Sequence, residues 1–184
     1  MKNFQAYQQI NYFIKDYQRL AGSQKLRMLY LWLSRASVGI LLYRLERMMF
    51  LLFGNTWKII RIAFLPFFLP LYAYSNLEIS YLADIGPGIT VLHPSLGVVV
   101  SSFVTIGKNL TLTGGNIIGG KKEVRKGKRF IIGDNANFGA NAVILGPVTL
   151  GNNIIIGAMA MVNKNFESNS MIAGVPAKKI GDTK

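Results

Sequence analysis

Six apolar side chains recur at intervals of six: Ile132, Phe138, Ile144, Leu150, Ile156 and Val162. Glycine follows four of them directly, at Gly133, Gly139, Gly151 and Gly157. A second track two positions earlier holds Phe130, Ala136, Ala142, Val148, Ile154 and Ala160. A helix repeats about every 3.6 residues and a half-buried strand about every 2, so neither accounts for this spacing. A solenoid does: each hexad forms one short side of a coil, its apolar residues fill a narrow interior, and the Gly, Asn or Asp that follows takes the turn. Three hexads then close one triangular coil. The pattern continues upstream through Ile106, Leu112 and Ile118, with Val104 and Leu110 on the second track, and through Ile79, Ile85 and Val91. Its register breaks twice, around His93 to Ser102 and between Gly119 and Phe130. Breaks in a solenoid are loops, and loops on a rigid scaffold are where function concentrates.

The composition changes near residue 75, which predicts a boundary between Tyr74 and Glu78: a helical, basic and apolar segment over 1–75, then a β-helix over 76–184. Apolar residues at three- and four-residue spacing, interrupted by Arg27, Arg35, Arg44 and Arg47, predict one or two amphipathic helices over Lys25 to Phe53. Ile59 to Tyr74 is more apolar, but Arg61, Pro66 and Pro70 are expected to break it, and it falls short of the roughly 20 apolar residues of a spanning helix. Two readings stay open for this segment: a helical cap that packs in an oligomer, or an anchor lying on a membrane surface. The first twenty residues are polar and aromatic, unlike a signal peptide, so a cytoplasmic location is expected, with the inner face of the membrane as the place of contact if the helices bind lipid.

With 21 Lys and Arg against 8 Asp and Glu, the formal charge is +13. Such an excess favours phosphate-bearing or membrane-surface partners. Nucleic acid is not expected, because no recognised nucleic-acid motif accompanies the charge. The absence of cysteine removes disulfides, thiolate metal sites and an acyl-cysteine intermediate, and a single histidine argues against a multi-histidine metal centre. The same count excludes a γ-type carbonic anhydrase, which shares the coil.

The stretches LEISYLADIGPGITVLHPSLGVVV, IIGDNANFGANAVILGPVTLGNNIIIGAMAMV and MIAGVPAKKIG resemble the hexapeptide-repeat acyltransferases. The similarity is greatest to their serine acetyltransferase branch, which includes relatives that acetylate polysaccharides. The resemblance spans about residues 76 to 181. It implies a mainly β fold, a left-handed parallel β-helix after an α-helical N-terminal segment, with the coil an exception to the usual right-handed crossover. It also implies a homotrimer with active sites between neighbouring β-helices and acetyl-CoA as cosubstrate, without a metal.

Transfer of an acetyl group from a thioester to a hydroxyl needs a base for the hydroxyl proton, and histidine suits that task. His93, in LHPSLG, stands in the first break, where the similar family carries its catalytic histidine. Glu78, fifteen residues earlier, matches the acid that orients the imidazole. By motif match, Gly119, Ala140 and Ala158 line the coenzyme A groove, and Lys178 and Lys179 of GVPAKKI lie near the nucleotide end. The basic run GGKKEVRKGKRF is expected to contact phosphates of the coenzyme or an anionic glycan. Two departures from the serine enzymes bear on the acceptor: Arg129 stands where they carry a second active-site histidine, and Leu92 where an acid precedes the first. Arg129 is therefore expected to meet the acceptor, and a hydroxyl of a sugar, polysaccharide or precursor is expected ahead of serine. Serine O-acetylation is the alternative within enzymes. A non-catalytic scaffold or oligomerisation module is the rival of a different class.

Overall fold

The computed structural model describes residues 2–23, 25–120 and 130–183. Four helices come first: α1 (Lys2–Ala21), a short α2 (Met28–Leu31), α3 (Arg35–Phe53) and α4 (Trp57–Ser75). The Ser34 side chain caps α3 by accepting from the Ser37 N–H at 3.2 Å, which satisfies one of the donors left over at a helix start. Asn76, with φ of 58°, ends α4, and the first strand begins at Leu77. α4 departs from expectation: Pro66 and Pro70 stand inside one continuous helix. Both prolines are exposed, so carbonyls that lose an N–H partner there face solvent and not a dry core.

From Leu77 onwards the chain winds into a three-faced prism. The first face stacks Leu77–Ile79, Val98–Val100, Asn116–Gly120, Val143–Gly146 and Met161–Val162 as parallel strands. The second stacks Asp84–Ile85, Val104–Ile106, Phe130–Ile132 and Thr149–Leu150. The third stacks Thr90–Val91, Thr111–Leu112, Asn137–Phe138, Ile155–Ile156 and Ser170–Ala173, and is closed by antiparallel Lys178–Asp182. Both hexad tracks point inward: Ile132, Phe138, Ile144, Leu150, Ile156 and Val162 are buried, as are Phe130, Ala136, Ala142, Val148, Ile154 and Ala160. Mainly β architecture, with a left-handed β-helix behind a helical segment, is thus the fold of this chain.

Register measures the two breaks. Val99 lies over Glu78, 21 positions back, and Ile117 over Val99, 18 back; Val143 lies over Ile117, 26 back, and Met161 over Val143, 18 back. An 18-residue coil is three hexads, so the coil through His93 carries three extra residues and the coil between Gly120 and Phe130 carries eight. The first break is shorter than the sequence suggests. It is confined to the 3-10 turn Pro94–Leu96, and Val98–Val100 has already rejoined the first face. The second falls on residues 121–129, which lie outside the described residues.

The edges of the prism differ in chemistry. Between the second and third faces, Asn109, Asn135, Asn153 and Asn169 all adopt positive φ, a conformation Asn tolerates better than most residues. Each of the first three donates its side-chain amide to the next one's oxygen, at 2.9, 2.9 and 2.8 Å. This ladder stitches four coils along one corner.

The lowest coil has no strand beneath it, and the helices supply its missing partners. Tyr43 donates its hydroxyl to the Ala83 carbonyl and accepts from the Ile85 N–H, both at 3.1 Å. Burial pushes this phenol above its ordinary pKa, so it stays a donor. Arg44 donates to the carbonyls of Ile85 and Gly86 at 2.7 Å and to Asp16 at 2.8 Å. Asp16, fully buried, also accepts from the N–H groups of Gly88 and Ile89 at 2.6 and 2.7 Å. Leu20, Ala21, Ile40 and Tyr43 join the same apolar cluster as the coil interior. Exchanging Asp16 for Ala strands Arg44 and two buried N–H groups, and should cost about 3–5 kcal/mol, read as a lower urea midpoint. Lys179→Ala, which breaks a solvent-exposed pair with Asp182, should leave the midpoint in place.

Candidate active site

His93 follows Thr90–Val91 and turns the chain from the third face towards the first. Its N–H donates to the Thr113 carbonyl at 2.8 Å, and its carbonyl accepts from the Leu96 N–H at 3.1 Å, opening the Pro94–Leu96 turn. A side chain on Gly114 would come within 2.4 Å of the His93 carbonyl oxygen, and Gly114 has φ of 133°. Glycine is required there by both contact and conformation. The His93 imidazole is exposed, and among the described residues no hydrogen bond or ion pair reaches it.

The edge on which His93 stands, between the third and first faces, continues upward through Gly114–Gly115, Gly139–Ala140 and Gly157–Ala158. Backbone bonds lock these turns together: Asn141 N–H to the Gly114 carbonyl at 2.9 Å, and Met159 N–H to the Ala140 carbonyl at 2.8 Å. Gly139 packs so closely on the next coil that a Cβ would lie 2.5 Å from the Ala158 nitrogen. The turn residues Gly114, Gly115, Gly139, Ala140, Gly157 and Ala158 are small, in contrast to the Asn ladder opposite, and Asn141 and the exposed Met159 follow them on the edge. Among the described residues the backbone N–H groups of Ala140 and Ala158 have no hydrogen-bond acceptor. Two outward donors therefore stand about 5 Å apart, one coil spacing, on the edge that carries His93. Lys178 reaches the top of the same edge. The turn that precedes it is fixed by Met161 N–H to the Gly174 carbonyl at 3.0 Å and Ala177 N–H to the Met161 carbonyl at 2.8 Å. Lys179 pairs with Asp182 at 2.6 Å.

Two of the expected residues are placed elsewhere. Gly119 lies at the far end of the first face, opposite Leu145, away from this edge. Glu78 is the outward residue of Leu77–Ile79, in the lowest strand of the first face. It opens into a cleft of about 890 Å³ lined also by Tyr72, Ser80, Tyr81, Leu96 and Ser102. Leu96 belongs to the His93 loop, and the Asn76 side chain donates to the Ser95 carbonyl at 3.0 Å, tying that loop to the strand of Glu78. Among the described residues no hydrogen bond or salt bridge joins Glu78 to His93. On the cleft's helical side, Tyr72 and Arg61 both donate to buried Glu46. Burial first, and the bond to Glu46 second, hold the Tyr72 phenol well above its ordinary pKa. Leu92, beside His93, is exposed, and Arg129 lies outside the described residues with the rest of the basic run.

Asn116 was not legible as a site residue. It occupies an inward slot where the tracks carry aliphatics and is fully buried. Its oxygen accepts from the Gly114 N–H at 2.9 Å and its amide donates to the Gly139 carbonyl at 2.8 Å. One side chain thereby fixes two levels of the His93 edge. The only signal in the sequence is a polar residue two positions before Ile118, where every neighbouring hexad is apolar.

Comparisons with known proteins point to the same fold. The profile of the family described as "Hexapeptide repeat of succinyl-transferase" matches residues 129–163. The chain is 36% identical over 106 residues to serine acetyltransferase 4 of Arabidopsis thaliana, covering 58% of this chain and 30% of that protein. It is 34% identical over 103 residues to serine acetyltransferase of Staphylococcus aureus strain Mu50, covering 56% and 48%. The chain thus spans less than half the length of these curated relatives. Among solved structures, serine acetyltransferase of Neisseria gonorrhoeae superposes with a TM-score of 0.77 at 24% identity, over 97% of this chain and 67% of that one. The same enzyme in complex with serine gives 0.77 at 25% identity, over 96% and 72%. A prism built of stacked hexads is the fold of a hexapeptide-repeat protein. The chain carries that hexapeptide repeat over residues 129–163 and is similar to serine acetyltransferases over somewhat more than half of its length.

Replacing Asn116 by Leu keeps the slot filled but leaves the Gly114 N–H buried without an acceptor, at a cost of about 1–3 kcal/mol. Because His93 is the only histidine, its ring resonances report the edge directly. We expect them to shift in Asn116→Leu; unchanged resonances would show that Asn116 does not support the site.

Proposed function

We propose that this chain is an acetyl-CoA-dependent O-acetyltransferase with His93 as general base. The observation that carries the reading is the pair of N–H groups at Ala140 and Ala158, without an acceptor among the described residues and stacked above His93 on one edge. An extended thioester arm rich in amides can lie there, its carbonyls bonded to backbone, with its nucleotide end towards Lys178 and Lys179 and the acetyl group at His93. The acceptor hydroxyl attacks the thioester carbonyl as its proton passes to the imidazole. The C–S bond then breaks and the thiolate takes up a proton. A backbone N–H stabilises the oxyanion in between. Glu78 acts as a positioning residue for the imidazole once the site is complete. Gly119, as a contact for the coenzyme, and Arg129, as a contact for the acceptor, belong to the proposal through the resemblance alone. Three chains with sites between neighbouring prisms belong to the same reading, because on a lone chain the His93 ring and Glu78 both face outward.

Serine is the acceptor that the similar proteins support, ahead of the sugar hydroxyl expected from the sequence. A sugar hydroxyl is retained as a second reading on one observation: Leu92, 53% exposed beside His93, offers no carboxylate to hold an ammonium group. Thiol release from acetyl-CoA, followed with serine and with a panel of sugars in parallel, separates the two. Under either acceptor, His93→Ala should lower turnover by about 10²–10⁴-fold with its melting curve intact; near-normal turnover would refute the assignment. Acetyl-CoA at a hundredfold its Kd should stabilise the protein by about 2.7 kcal/mol, and no shift would favour the scaffold reading.

A further inference from the structure

The outward side of α4 has no counterpart in a water-facing helix. Ile59, Ile62 and Phe67 are 72, 64 and 72% exposed, and Pro66 and Pro70 stand among them. Its other side packs on α3, where Arg61 and Tyr72 bond to Glu46, so most of the helix surface is apolar, a pattern of helices buried in protein or in lipid. Leu29, Tyr30 and Trp32 extend the exposed apolar surface. They adjoin the C-terminal end of α4, where the Tyr74 hydroxyl donates to the Leu33 carbonyl at 2.6 Å and Arg35 lies over the Tyr74 ring.

Charge indicates what covers this surface. Through Ser75 the sequence has ten Lys and Arg and only two acids, Asp16 and Glu46. Both acids are buried and bonded inward, to Arg44 and Arg61. The segment therefore presents no carboxylate of its own, while exposed Lys58 on α4 and Arg35, over the Tyr74 ring, set basic charge beside the apolar face. A second copy laid on that face would set like charge against like charge. An anionic bilayer meets both features at once, its headgroups pairing with Lys and Arg and its acyl boundary accepting the Ile, Phe and Trp side chains.

We propose that the helical segment lies on an anionic membrane surface, with the outward side of α4 and the Leu29–Trp32 stretch in the headgroup boundary. By length and composition alone, the stretch Arg35–Ser75 could cross a membrane. The bonds of α4 argue for lying flat. Arg61 and Tyr72, far apart along α4, both donate to Glu46 of α3, which holds the two helices side by side. α3 in turn is bonded to the coil through Arg44 and Arg47. Standing α4 upright would carry these charges into hydrocarbon.

Co-sedimentation of the full chain with vesicles tests the proposal without reference to the acetyltransferase reading. We expect the protein to pellet with phosphatidylcholine vesicles containing phosphatidylglycerol, and far less with phosphatidylcholine alone, the difference shrinking as salt is raised. The double substitution Ile62→Asn, Phe67→Asn should reduce partitioning more than about tenfold, since each exchange removes an apolar side chain from the boundary. Its circular dichroism melt and its sedimentation mass should match those of the parent. The proposal is overturned if the parent stays in the supernatant with both vesicle types, if the variant binds as well as the parent, or if the variant changes the mass of the assembly, which would mean that another copy covers the face.

Discussion

Successive coils of the prism are hydrogen-bonded to one another strand upon strand, and inward side chains, two to a face, fill the interior. Coil length is therefore quantised. A turn of 18 residues stacks, and surplus residues must leave at a corner. Where the chain through His93 holds three more, they emerge as the Pro94–Leu96 turn. Where eight more occur, they fall between Gly120 and Phe130. A packing rule thus decides where along the chain surplus residues can be held.

The same rule sets the contrast between edges. Asn109, Asn135, Asn153 and Asn169 stitch one corner with side-chain amides. On the His93 corner, Gly114 packs on the His93 carbonyl of the coil below and Gly139 on the Ala158 backbone of the coil above, and the N–H groups of Ala140 and Ala158 are left without an acceptor among the described residues. A corner of the first kind is closed to ligands, whereas one of the second kind offers donors at the coil repeat. Asn116 gives rigidity to the open corner from the inside, using one buried amide to replace the bonds that the neighbouring corner makes on the outside.

Much of this could be read from residue order. The two tracks, both breaks, and the helical nature of the first 75 residues follow from periodicities of six and of about 3.6, because burial imposes those periods. What escaped the reading involves contacts between distant segments. Nothing in the sequence pairs Asp16 with Arg44, or directs Tyr43 to the open end of the first coil. The prolines of α4 look like breaks but stand in an exposed helix, since local propensity says nothing about which carbonyls face water. Val98 and Val100 sit two apart like any inward pair, yet three surplus residues before them hid their register. Glu78 was expected to orient His93 because of the resemblance to the serine acetyltransferases, and in the single chain it faces outward from the lowest strand of the first face, tied to the His93 loop through Asn76 and Ser95.

Amide hydrogen exchange with and without acetyl-CoA tests the central claim most directly, because it reads each level of the edge separately. Slowed exchange confined to Gly139–Ala142, Gly157–Ala160 and the His93 loop is the expected pattern, with the Asn-laddered corner unchanged. Protection on the Asn corner, or none anywhere at saturating acetyl-CoA, would contradict the assignment of the edge.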